Sequence, residues 1–227
     1  MSTALPALSL LETRVLGVLV EKERTVPDSY PLTLNALAAG CNQKTSRDPI
    51  VNATDEDVQA TVDRLKGLTL VMETSGGRVM RYAHNAGRVL QIPPQSVALL
   101  AVMMLRGPQT PGELRINSDR LHKFGDILSV QAFLEELAER PAGPLVKELA
   151  RQPGSRENRW MHLLSGEPPD EPILRPSQGG DAVASTDAIT MSELAALRAE
   201  VAELRHQVAS LSETVARLCK ELGLPPQ

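Results

Sequence analysis

Three pairs of cations sit where the chain turns. Lys44 and Arg47 lie in a polar loop from Cys41 to Asn52, Arg78 and Arg81 follow the turn Gly76-Gly77, and Arg151 and Arg156 bracket Gln152-Pro153-Gly154. Arg and Lys on loops and hairpin tips reach phosphate oxygens and base edges, so these six are the candidate nucleic-acid contacts. Arg64, Lys66, Arg115, Arg120, Lys123 and Arg159 are further cations in the same stretches. For each, the plain alternative is a solvated charge or an ion pair along a helix. Covalent chemistry has less to stand on. The four histidines, His84, His122, His162 and His206, are isolated in sequence, and no glycine-rich phosphate loop, zinc-binding histidine pair or nucleophile elbow occurs. Cys41 ends a helical stretch and reads as a small buried apolar residue. No catalytic residue, metal ligand or cofactor site is expected, and the chain is read as not an enzyme.

The elements that place these cations follow from capping and periodicity. Ser9 and Glu12 form a capping box before Leu11, Val15, Val18 and Leu19, which opens an amphipathic helix to about Glu23. Leu32 to Ala39 reads as a second short helix stopped by Gly40. Thr54 with Asp57 caps a third, whose buried face is Val58, Val62, Leu65 and Leu68. Leu70–Thr74 and Arg78–His84 then read as a hairpin. Three helices followed by a hairpin is the layout of a winged helix.

The next stretch repeats the pattern. An apolar helix runs from Gln95 to Leu105, Thr110, Pro111 and Glu113 open a short one, and Val130, Phe133, Leu134 and Leu137 line a third. Leu145–Leu149 and Asn158–Leu164 form a second hairpin. Its Arg159-Trp160-Met161-His162 corresponds to Arg81-Tyr82-Ala83-His84, an internal duplication at about 75 residues. The fold class expected is mainly α with small β-hairpins (α+β): tandem winged-helix domains at 1–90 and 91–166, each with its own core.

Residues 167–188 are rich in Pro and Gly and read as a linker, with a reach of about 25 Å if fully flexible. From 189 to 223, Leu194, Leu197, Val201, Leu204, Val208, Leu211, Val215, Leu218 and Leu222 recur at alternating steps of three and four. That is the seam of a coiled coil, and β-branched a with leucine d positions favours a parallel dimer. A single amphipathic helix packed on its own domains is the other reading of this stretch.

Of the 227 residues, 24 are Lys or Arg and 28 are Asp or Glu, a net charge of −4. By segment the basic and acidic counts are 10 and 10 over 1–90, 9 and 8 over 91–166, and 5 and 10 over 167–227. The first two segments lack the global basic footprint of a nucleic-acid binder, so any such surface has to be local. The longest apolar run, Val97 to Leu105, is about half of what spans a membrane, and the N-terminus lacks a signal-peptide pattern. With two cysteines in different elements, Cys41 and Cys219, a cytoplasmic protein without a disulfide framework is expected.

Several strings resemble the YceH family of uncharacterised bacterial proteins: Cys41-Asn42-Gln43-Lys44-Thr45-Ser46-Arg47-Asp48-Pro49, Arg106-Gly107-Pro108-Gln109-Thr110-Pro111-Gly112-Glu113-Leu114-Arg115, and Arg151-Gln152-Pro153-Gly154 with His162-Leu163-Leu164-Ser165-Gly166. The resemblance spans about Leu8 to Gly166. It implies tandem winged-helix domains and, in many members, a C-terminal coil, and brings no activity or site residues with it. Two functions follow from the residues. The first is a dimeric, DNA-associated transcriptional regulator; the second is a protein-interaction scaffold that does not bind DNA, since acids on both third helices (Asp55, Glu56, Asp57, Asp63; Glu135, Glu136, Glu139) repel phosphate.

Overall fold

Ser9 starts the first helix as its capping box implies. Its Oγ accepts the Glu12 N–H at 3.2 Å and the Glu12 carboxylate accepts the Ser9 N–H at 2.6 Å. The structure is a computed structural model that describes residues 5–74, 79–151, 155 and 157–167. Arg78, Arg156, the Gly76-Gly77 and Gln152-Pro153-Gly154 turns, the linker beyond Glu167 and the whole heptad seam from Leu194 to Leu222 lie outside the described residues. Among the described residues are seven α-helices and two small antiparallel sheets, an α+β arrangement.

Helix α1 (Leu10–Thr25) is buried on every side from Glu12 to Val20, not on one face as its pattern suggested. It is the central helix, with α2 (Leu34–Cys41) and α3 (Asp55–Gly67) packed on it from the first half and α5 (Pro94–Arg106) from the second. Two glycines allow the close approach. A Cβ on Gly40 would sit 2.6 Å from Val18 Cγ1, and one on Gly17 would sit 3.0 Å from Leu105 Cγ. Gly40 therefore does not stop α2, which continues to Cys41; it lets α2 pack against α1.

Leu32 and Thr33, expected in the second helix, instead form strand β1. Thr33 stays extended because its Oγ1 caps α2 by accepting the Ala36 N–H, which leaves Leu32 to pair with the hairpin. Strands β2 (Val71–Thr74) and β3 (Arg81–His84) complete a sheet in the order β1-β3-β2, with Leu32 opposite Tyr82. A five-residue helix α4 (Ala86–Leu90), not foreseen, leads to α5.

The second half has the same plan. Helices α5, α6 (Pro111–Asn117) and α7 (Ile127–Ala138) precede strands β4 (Val146–Glu148) and β5 (Trp160–His162). Gln109 takes the place of Leu32: its N–H donates to the Trp160 carbonyl at 3.0 Å, and the Trp160 N–H donates back at 2.7 Å. Thr110 caps α6 as Thr33 caps α2. One expectation fails, because the halves do not have separate cores. A single cluster of buried residues runs from Leu8 to Leu164 across the α1–α5 contact, and the Leu8 N–H donates to the Leu164 carbonyl at 2.7 Å. No helix among the described residues is long and apolar enough to cross a membrane.

Candidate nucleic-acid interface

The loop between α2 and α3 was expected to offer Lys44 and Arg47 to phosphate. Arg47 is not available. Its side chain has 0% of its surface exposed, and Nη1 and Nη2 donate to the two Glu21 oxygens at 3.1 and 2.6 Å. Nε donates to the Gly40 carbonyl at 3.2 Å and Nη1 also to the Ser46 carbonyl at 2.9 Å. The cause is local: the loop folds back over α1, and a charge so placed must be paired and fully hydrogen-bonded to stay there. Burial raises the Glu21 carboxyl, the Arg47 guanidinium outweighs it, and the group ends below its ordinary range.

Arg14, from the second turn of α1, is also fully buried in this node, and among the described residues it has no carboxylate partner. It donates to the Pro49 carbonyl at 2.6 Å and the Cys41 carbonyl at 3.3 Å, while its Nε has no partner among the described residues. Burial first, then the charge of Arg47, lowers its pKa. The second half closes the loop: the Asp48 N–H donates to the Leu105 carbonyl at 2.8 Å and Arg106 Nη2 to Ser46 Oγ at 2.7 Å. Asn42 clasps the loop's far end through two 2.8 Å bonds with Ala53. The string Cys41 to Pro49 is thus a tie between α1, α2, α3 and α5. Sequence reasoning missed Glu21 and Arg14; two charges bounding the apolar run Val15 to Val20 of α1 were the available signal.

The other candidates are scattered. Lys44 and Arg151 are exposed. Arg81 is exposed on β3, with Nη1 donating to the Pro31 carbonyl at 2.8 Å. Arg64 Nε lies 3.2 Å from Glu12, Lys66 pairs with Glu73 and Asp63, and Arg159 Nη2 lies 3.5 Å from Glu113. Arg120 and Lys123 are exposed between α6 and α7.

The third helix of each half carries the wrong chemistry for phosphate. Helix α3 begins Asp55-Glu56-Asp57, all exposed, and these carboxylates offset the positive end of the helix. Helix α7 begins with Ile127 and Leu128, 43% and 73% exposed, and Ile116 at the end of α6 is 72% exposed. Exposed isoleucine and leucine at the start of a third helix neither attract phosphate nor read a base edge through hydrogen bonds.

No group of three or more potential metal ligands occurs among the described residues. Burial pushes the Cys41 thiol up to about 12, which removes it as a nucleophile at neutral pH. His84 ends β3 with its Nδ1 3.4 Å from the Ala86 nitrogen and its Nε2 3.1 Å from the Glu23 carboxylate. His162, its counterpart on β5, is only partly covered as a residue, yet its Nδ1 is shut off from water with no partner among the described residues. Burial lowers it from 6.5 to about 4. The unfolded chain takes up this proton first, so the stability His162 confers is full above about pH 6.5 and is lost as pH falls toward 4. Urea unfolding across that window should show a loss of up to about 3 kcal/mol that His162→Gln removes; an unchanged slope in the variant would refute the assignment.

Residues 8–155 match the family model described as "Protein of unknown function, DUF480". A "UPF0502 protein" of Burkholderia ambifaria (strain MC40-6) is 55% identical over 221 residues, 97% of this chain and 92% of the relative. One from Burkholderia vietnamiensis (strain G4 / LMG 22486) is 55% identical over the same shares. A third, from Dechloromonas aromatica (strain RCB), is 62% identical over 168 residues, 74% of this chain and 79% of the relative.

Proposed function

The chain belongs to the DUF480 family, the group its motifs resemble under the name YceH, and from that premise we propose that it is a non-catalytic, cytoplasmic binding protein. In this reading each chain carries two winged-helix units, a C-terminal parallel coil pairs two chains, and the third helices dock proteins instead of reading DNA. The repeated order of three helices and a hairpin supports the winged-helix reading, with Leu32 and Gln109 each pairing to the last strand of its half. The observation that carries the docking role is the chemistry of the two third helices, acidic at the start of α3 and apolar at the start of α7. Pairing by a coil would present each surface twice, so that contacts weak by themselves gain effective concentration.

A regulator that binds DNA is the second reading, favoured by the exposed Lys44, Arg81 and Arg151 and by how often this fold serves that purpose. Titrating the full chain into a labelled random-sequence duplex at low salt separates the two. The docking reading expects no saturable binding. Binding that falls steeply with salt, and that is lost when Lys44, Arg78, Arg81, Arg151 and Arg156 are all changed to alanine, would transfer the assignment to DNA.

A further inference from the structure

Between the halves is a cavity of about 160 Å³, walled by the last turn of α1, by α4, by the first turn of α5 and by Leu121. Its apolar lining includes Val20, Ile92, Val97 and Leu121, and Gly87 leaves one wall without a side chain. A cavity of about 150 Å³ holds one benzene-sized molecule, so this one, polar and apolar parts together, is matched to a small molecule with a short branched chain.

Its polar lining has both signs of charge. Glu23 and Arg24 lie in the final turn of α1, with Arg24 Nε 3.7 Å from the Glu23 carboxylate. The second Glu23 contact is His84 Nε2, which lies 3.1 Å from its carboxylate and so fixes its position. Two helix ends of opposite polarity meet here as well. The C-terminal turn of α1 carries the negative end of its dipole, and α5, thirteen residues long, begins at Pro94 after Pro93 with no side-chain cap, leaving Gln95 and Ser96 as the N–H groups of its first turn. An ammonium group is favoured beside Glu23 and the end of α1, and a carboxylate beside Arg24 and the start of α5.

From this pairing of a small apolar chamber with adjacent groups of opposite charge, we infer that the cavity binds an apolar α-amino acid of about the size of leucine. The side chain occupies the chamber, the ammonium meets Glu23 and the carboxylate meets Arg24. Because the walls come from both halves, the ligand ties them together. This site stands independently of the docking function above, and its failure would leave that reading untouched.

Calorimetric titration of the full chain with L-leucine, with 3-methylbutylamine and with 4-methylpentanoate tests it. Leucine should bind saturably, and the two analogues, each lacking one charged group, at least tenfold more weakly. Glu23→Gln, a change at a partly exposed position, should weaken leucine at least tenfold and leave 4-methylpentanoate unchanged. Ala98→Phe, which fills the chamber, should abolish binding altogether. No saturable heat with leucine, valine or methionine up to about 10 mM would overturn the inference, as would a Glu23→Gln protein that binds leucine like the unaltered chain.

Discussion

Replacing Glu21 by leucine is expected to lower the unfolding free energy by about 3–5 kcal/mol, the usual result of leaving a buried guanidinium without its carboxylate. Arg47 cannot turn outward to find water, because its Nε is tied to Gly40 and its side chain has no exposed surface. Adding Arg47→Met should restore part of the loss by removing the unpaired charge, and not all of it, since the Gly40 and Ser46 carbonyls then lose a donor. Lys44→Ala, three residues away but exposed, should change stability by less than about 0.5 kcal/mol. The pair also has a pH signature. Because the Glu21 carboxyl is held below its ordinary value of 4.5, its contribution is full above that value and disappears as acid protonates the folded form. Urea unfolding of the three variants checks all of this. A loss below about 1 kcal/mol for Glu21→Leu would mean that Arg47 is held far less tightly than its contacts imply.

Caps and hairpins were legible in the sequence because they are local. Ser9 with Glu12, Thr54 with Asp57 and Thr110 with Glu113 each open a helix where the spacing places one. Both strand pairs also fall inside the stretches predicted for them. What escaped depends on partners distant in the chain. Leu32 is a strand because Tyr82, fifty residues on, offers an edge to pair with. The all-round burial of α1 was hidden because α5, the helix that covers its remaining side, belongs to the other repeat. Arg47 was misread for the same reason: a cation in a polar loop looks solvated until Glu21 of α1 is seen beneath it. The acids at the start of α3 could be read at once, since they are local to its first turn, whereas the exposed Ile127 and Leu128 of α7 emerge only from the structure, because exposure of an apolar residue is set by what packs around it.

The largest effect of all is expected from the C-terminal stretch. Nine apolar positions from Leu194 to Leu222 keep the alternating three-and-four spacing through four heptads, with Val201, Val208 and Val215 at a and leucine at every d. Such a seam is expected to pair two helices in parallel, the alternative being one helix packed on its own domains. Among the described residues one continuous core runs from Leu8 to Leu164, so a chain ending at Glu167 is expected to fold by itself. Sedimentation equilibrium on the full chain and on the chain ending at Glu167, both at about 10 μM, tests most directly the claim that the protein presents its surfaces in pairs. The expected result is a dimer for the first and a folded monomer for the second. A full chain that sediments as a monomer, or a shortened one that remains a dimer, would contradict it.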